Sequence, residues 1–445
     1  MQKKSISADL MENLSSQPYN DRTPMLYSLI ANKLRSKITE FSGYVSKNLD
    51  KTAQRFICEA LYGIMASQSV MLTEIGRSLQ TRVSLKKTEE RFCRQIKKKQ
   101  IWEQVHRQVL DDAGRRITDQ TLLMLDLSDL HKKYAEKMEY LATVRDGSDD
   151  GQLVNGYWTT QVIAAELGSD QVVPLYQELY SQQAPDFRSE NEQIIQAMDM
   201  VGQSCQNRGI WVIDRGGDRD VLYEHLLKTD PVRRFIIRLV GTRHLIYKNR
   251  PTQALSLAEQ CKTPYSETLV KEIDGTEKVY HIHYGYVPVR LPDHGSRLYM
   301  LVVRGMGPKP MMLLTTEPLR RNRKVLYRLL GSYIKRWSIE ETIRFIKQTY
   351  DMENIRVLKY TRLRNMMALL LAVFYFLAVV LDTNQKLRIM TGHVLKQAKR
   401  VFGIPDFKYY ALGDGISAIF ARSPGEMNHL LPEKMNPAQL DMGFT

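Results

Sequence analysis

At 445 residues the chain is longer than the size at which a single hydrophobic core stops growing, so two or three domains are expected. A hydrophobic content of 43% with 25% charged residues excludes wholesale disorder. A balance of 64 Lys and Arg against 49 Asp and Glu leaves a net charge of +15, which attracts a polyanion, either nucleic acid or an anionic membrane surface.

The chain opens on MQKKSISADLMENLSSQPYNDR, polar throughout and unlike a secretion signal, so an intracellular, cytoplasmic protein is expected. From about Pro24 to Asp112, apolar residues recur at three and four spacing among many Lys and Arg, the mark of a basic helical domain. Within it, SVMLTEIGRSLQTRVSLKKTEERFCRQIKKK reads as a short helix, a break around Gln80 to Ser84, and a second helix carrying Lys86, Lys87, Arg91 and Arg94. That pattern is helix-turn-helix-like, with the second helix placed to enter a major groove; a solvated helical face is the competing reading.

From Thr121 the texture changes. TLLMLDLSDL, GYWTTQVIAAEL and QVVPLYQELY read as three successive strands, SENEQIIQAMDMVGQSCQNRG as a helix closed by Gly209, and GIWVID as a further strand. This order is the one expected of an α/β, RNase H-like core, here assigned to residues 116–246 and 317–381. Residues 247–316, including KVYHIHYGYVPVRL and RLYMLVVRG, read as an inserted β-rich subdomain, and 382–445 as a C-terminal helical region with a role in dimerisation. The first domain is set at 1–115. The uncharged run Met366 to Leu381 is shorter than the ~20 residues needed to span a bilayer and reads as a buried core helix. The four cysteines, Cys58, Cys93, Cys205 and Cys261, are scattered singly and read as reduced thiols.

Carboxylates carry the chemistry. Asp126 closes the apolar run LLML and Asp214 closes IWVI, so each is expected at the end of a core strand. In SYIKRWSIEETIRFIKQ, a helical period puts Tyr333, Arg336, Glu340 and Lys347 on or near one face. Three converging carboxylates repel one another unless a divalent cation neutralises them, and oxygen ligands suit Mg²⁺ or Mn²⁺. Asp129 competes with Asp126 and Asp218 with Asp214 as caps or loop acceptors, and Arg336 and Lys347 could instead pair with acidic neighbours on their own helix. Trp158 and Trp337 read as packing residues, and the HIH at His281 and His283 lacks a third metal ligand.

The spacing from Tyr333 through Arg336 and Glu340 to Lys347 resembles the YREK signature of a large group of bacterial insertion-sequence DDE transposases. LMLDLSDL, IDRGGDRD, LLTTEP, RDGSDDGQLVNGYW and FIIRLVGTR resemble further segments of that group, so the likeness runs from about Thr121 to Leu381. The resemblance implies that Asp126, Asp214 and Glu340 are catalytic and hold Mg²⁺ or Mn²⁺, two ions in all. It implies that Tyr333, Arg336, Lys347 and Arg238 contact DNA phosphates. It also implies a homodimer on double-stranded transposon ends and target DNA, with no membrane partner. The expected reaction is cut-and-paste transposition, that is, strand cleavage followed by 3′-hydroxyl transfer. Some members pass through a DNA hairpin and hold a flipped base on an aromatic side chain; this chain has Met311 and Met312 there. The alternatives are a domesticated, transposase-derived DNA-binding protein and a metal-dependent nuclease without strand transfer.

Overall fold

The structure, a computed structural model, describes residues 23–132, 134–145, 151–273, 276–397 and 407–427. Five helices come first: α1 (Thr23–Ser46), α2 (Lys51–Ser67), α3 (Leu72–Ser78), α4 (Leu85–Gln95) and α5 (Gln100–Gly114). Asp50 caps α2 by accepting from the Ala53 amide at 2.9 Å, satisfying one of the donors a helix start leaves open. The expected short helix, break and second helix are α3, residues 79–84 and α4. α4 is amphipathic: Thr88 and Phe92 are buried, and the Phe92 ring meets Phe56 edge-on at 5.4 Å.

The middle of the chain is a mixed sheet, of ten strands among the described residues. Its first strands are β1 (Leu122–His131), β2 (Ala142–Arg145), β3 (Leu153–Ala165) and β4 (Val172–Tyr180). Then come α6 (Glu190–Ser204), β5 (Ile210–Ile213), α7 (Asp220–Lys228) and β6 (Arg234–Arg238). β3 pairs antiparallel with β1 on one side and with β2 and β4 on the other, while β1, β5 and β6 run parallel. Strand β2 has no counterpart in the sequence reading. α6 starts on Ser189, whose Oγ accepts from the Glu192 amide, and it stops at Ser204, five residues before Gly209. Gly209 instead stands at the entrance to β5 with φ +95°, where a Cβ would lie 2.9 Å from Leu123 Cγ; only glycine lets β5 start flush against β1.

The stretch expected as a separate β subdomain begins with the hairpin β7 (His244–Tyr247) and β8 (Arg250–Gln253) and the helix α8 (Ala254–Gln260). It then continues the same sheet through β9 (Tyr265–Ile273), β10 (Thr276–Val289), β11 (Leu298–Arg304) and β12 (Met311–Thr315), with β12 pairing antiparallel to β6. These strands therefore extend the central sheet instead of forming a second one. The reason is edge pairing: β6 exposes an open row of backbone donors and acceptors, and β12 fills it.

α9 (Arg323–Lys335), α10 (Trp337–Thr349), α11 (Tyr360–Tyr375), α12 (Thr383–Gln397) and α13 (Tyr409–Arg422) complete the chain. By contact density, 110–133 and 140–342 form one compact unit, and 1–109, 134–139 and 343–445 form the other. Residues 343–381, expected in the catalytic core, and the C-terminal helices thus share a unit with the N-terminal helices. Within it, Phe41 stacks on Tyr375 and Tyr62 meets Phe420 at 4.6 Å. The apolar segment Tyr360–Val380 is long enough to cross a membrane by length and composition, and 94% of its most apolar window is buried inside the structure. The four cysteines are free thiols, three of them buried.

Candidate active site

The parallel strands set out the site. β1 pairs with β5 from Leu122↔Ile210 to Leu125↔Ile213, and β5 with β6 from Ile210↔Arg234 to Ile213↔Ile237. One residue further along these three strands stand Asp126, Asp214 and Arg238, so adjacent backbones ~4.8 Å apart carry them as a row. Asp126 is not at a strand end. β1 runs on to His131 because β3 pairs with it over all ten residues, whereas β5 stops after four.

Asp214 caps the turn that follows β5 by accepting from the Gly216 amide at 2.6 Å. That turn is clasped from behind: Arg219 donates to the Gly216 carbonyl at 2.7 Å and reaches Asn191 and Glu190 on α6. The third carboxylate, Glu340, comes from the first turn of α10. Tyr333 to Lys347 is not one continuous helix, because α9 ends at Lys335 and Arg336 forms the joint before α10. Buried Arg336 donates from Nη2 to Glu340 Oε1 at 2.7 Å, and its Nη1 lies 3.6 Å from Asp126 Oδ2. It therefore pairs with acidic neighbours, the alternative weighed on the sequence, and one of those neighbours lies on a distant strand.

Burial pushes the Asp126 carboxyl up from its ordinary 3.8 to about 7, Arg336 opposes the rise, and the Asp214 and Glu340 carboxylates add to it. The structure thus brings Asp126, Asp214 and Glu340 within electrostatic reach of one another. The Arg336 guanidinium meets two of the three carboxylates, Glu340 and Asp126, all three are hard oxygen donors, and Asp126 resists ionising chiefly because it is buried. These residues fit a divalent cation such as Mg²⁺ or Mn²⁺.

The competing aspartates separate. Asp129 is three residues from Asp126 on the same strand and so on the opposite face, buried, with His131 Nδ1 at 3.4 Å. The Asp218 side chain is fully buried, with Arg243 Nε at 2.7 Å, the Val240 amide at 2.7 Å and the Tyr223 hydroxyl at 3.1 Å. Three donors, one from the backbone and two from side chains, meet on that carboxylate, so its role is to hold the loop. Removing it strands three buried donors, and Asp218→Ala is expected to lower stability by about 3 kcal/mol in chemical denaturation. A change below about 0.5 kcal/mol, the range of ordinary surface substitutions, would contradict that role.

The remaining expected residues divide by exposure. Lys86, Lys87 and Arg94 lie exposed on α4. Arg91 turns inward to pair with buried Glu59, which also receives Arg55 at 3.0 Å, so it is occupied within the helical unit. Tyr333 is buried, its hydroxyl has no hydrogen-bond partner, and its ring packs under the Arg336 guanidinium at 5.6 Å, so it does not present itself to a phosphate. Lys347 lies 3.5 Å from Glu353, as the helix-pairing alternative anticipated in kind. Arg238 is half-buried and, among the described residues, has no ion-pair partner. Met311 and Met312 are buried within β12, so neither offers a thioether to a flipped base. His281 and His283 are exposed on β10, and among the described residues no third ligand joins them. Sequence reading missed Gln161, the residue directly opposite Asp126 on β3; its amide stands immediately before the apolar run VIAA, and that was the available signal.

No protein-family model matches the chain. No curated protein matches it either. Among solved structures, the chain is similar to a piggyBac transposase determined by cryo-electron microscopy as a synaptic complex with hairpin DNA. The identity is 10% and the TM-score 0.41, over 90% of this chain and 80% of that one.

Proposed function

We propose that the chain is a DDE transposase that cleaves and joins DNA at a carboxylate site made of Asp126, Asp214 and Glu340. The observation that carries this reading is the convergence of the three carboxylates: two in one row of parallel strands and the third delivered by α10, with Arg336 bridging Glu340 and Asp126. The run of three antiparallel strands, a helix, a parallel strand and a helix supports an RNase H-like core. The spacing of Tyr333, Arg336, Glu340 and Lys347 supports the YREK group among insertion-sequence enzymes.

Asp126, Asp214 and Glu340 would hold Mg²⁺ or Mn²⁺, two ions in the expected arrangement. When bound, such ions activate the attacking oxygen and stabilise the leaving one in phosphodiester displacement. The chain's own residues orient the DNA. Half-buried Arg238 supplies a guanidinium in the row, its planar fork matched to two phosphate oxygens, while Arg336, engaged with Glu340 and Asp126, holds the carboxylates in place. Exposed Lys86, Lys87 and Arg94 on α4 would grip the duplex of the transposon end, and two chains would hold two ends together as a homodimer in the cytoplasm.

The test is a reaction of the full chain with Mg²⁺ and double-stranded DNA taken from both flanks of its reading frame, together with target DNA. Cleaved ends joined to target are expected. Cut ends with no joined product would leave a nuclease, and specific binding without any cut would leave a domesticated DNA-binding protein; either result overturns the proposal.

A further inference from the structure

Gln161 sits on β3 directly across from Asp126 in the antiparallel register, where opposed Cβ atoms lie about 4.5–5.5 Å apart on one face of the sheet. Its side chain is 2% exposed, and its Nε2 is buried with no hydrogen-bond partner. A buried amide donor left unmade costs stability, and folded chains almost always satisfy one. Of the register neighbours on this face, Met124 and Ile163 are apolar, Ser128 and Thr159 offer hydroxyls, and Gln177 of β4 stands opposite on the other side with a neutral amide; the charged acceptor among them is the Asp126 carboxylate. Asp126 currently spends Oδ1 on the Leu127 amide at 2.9 Å and turns Oδ2 toward Arg336.

Resting on the carboxylate-site reading above, we propose that Gln161 is a positioning residue for Asp126. Its Nε2–H donates to the ionised Asp126 carboxylate and holds that group in line with Asp214 when the site takes up a divalent cation. An unmade buried donor costs stability, and Gln161 bears that cost to preset a ligand. Carboxylate ligands to metals are themselves hydrogen-bonded as a rule, and loss of such an outer partner typically weakens metal affinity about 10–100-fold.

The test uses Gln161→Met, which keeps length and volume but has no donor, with Gln161→Leu as a second apolar variant. Mn²⁺ alone is titrated calorimetrically into the full chain, and thermal unfolding is recorded without cation. Wild type is expected to bind Mn²⁺. Both variants are expected to bind it about 10–100-fold more weakly while melting no lower than wild type in its absence. A purely structural glutamine would do the reverse. Variants that melt lower yet bind Mn²⁺ as tightly as wild type would overturn the positioning role and leave the carboxylate site standing. If wild type itself takes up no Mn²⁺, the site reading fails, and the inference fails with it.

Discussion

Glu340→Gln is expected to reduce Mg²⁺-dependent strand cleavage by roughly three orders of magnitude, the several kcal/mol that a metal-bound charge contributes to a phosphoryl-transfer barrier. The substitution is chosen to isolate charge. Gln retains the length of Glu and an oxygen that accepts from Arg336 Nη2, so the 2.7 Å contact at the joint between α9 and α10 has a replacement. Glu340 is an exposed residue on the first turn of its helix, and its hydrogen bond from buried Arg336 is the contact the substitution must keep. DNA affinity should be nearly unchanged, because the proposed reading assigns it to cations such as the exposed Lys86, Lys87 and Arg94 on another element. The measurement is paired: a mobility-shift assay with DNA carrying the end sequence, and a cleavage time course on the same DNA. Retained binding with cleavage at the wild-type rate would remove Glu340 from the site. Loss of both in parallel would point to misfolding, which a melting curve would register.

Much of this site was readable before any coordinates, and the reasons are physical. The 3.6-residue period places Arg336 one turn before Glu340, and they are indeed paired. Apolar runs ending in Asp mark where buried strands meet polar surroundings, which is how Asp126 and Asp214 come to share a row. What one-dimensional reading lacks is the neighbour. Asp126 stands mid-strand because β3 prolongs β1, a fact about pairing that no local pattern contains. Arg91 faces inward because Glu59, 32 residues away, is buried and needs a second cation. Tyr333 and Arg336 are packed against each other, since a phenol ring on the buried side of α9 goes where the apolar face goes. The strands after Tyr247 were recognisable as strands, but which sheet they would join depends on the open edge of β6. In each case the element was legible and its partner was not.

The site also has a cost in stability that pH should reveal. Asp126 is held near pKa 7 in the folded chain against 3.8 when exposed, mainly because burial disfavours its charge. A carboxyl whose folded pKa is raised binds its proton more tightly folded than unfolded. Its favourable contribution is therefore complete below about pH 4 and is lost as pH rises through 7. The shift of about three units corresponds to at most about 4 kcal/mol. Asp126→Asn carries a neutral side chain of the same shape at every pH. Without cation, the variant should match wild type near pH 4 and exceed it by about 2–4 kcal/mol at pH 8, measured by denaturant unfolding. Taking the difference between the two proteins cancels the titration of all other groups, including Asp50, which Lys98 and its capping bonds hold well below the usual carboxylate range. Mg²⁺ should then reverse the order at pH 8. At about a hundred times its dissociation constant it returns about 2.7 kcal/mol to wild type and little to the variant. A wild type that becomes more stable relative to Asp126→Asn between pH 4 and 8, in the absence of cation, would show that Asp126 is already compensated by Arg336, and that the three carboxylates have no need of a metal.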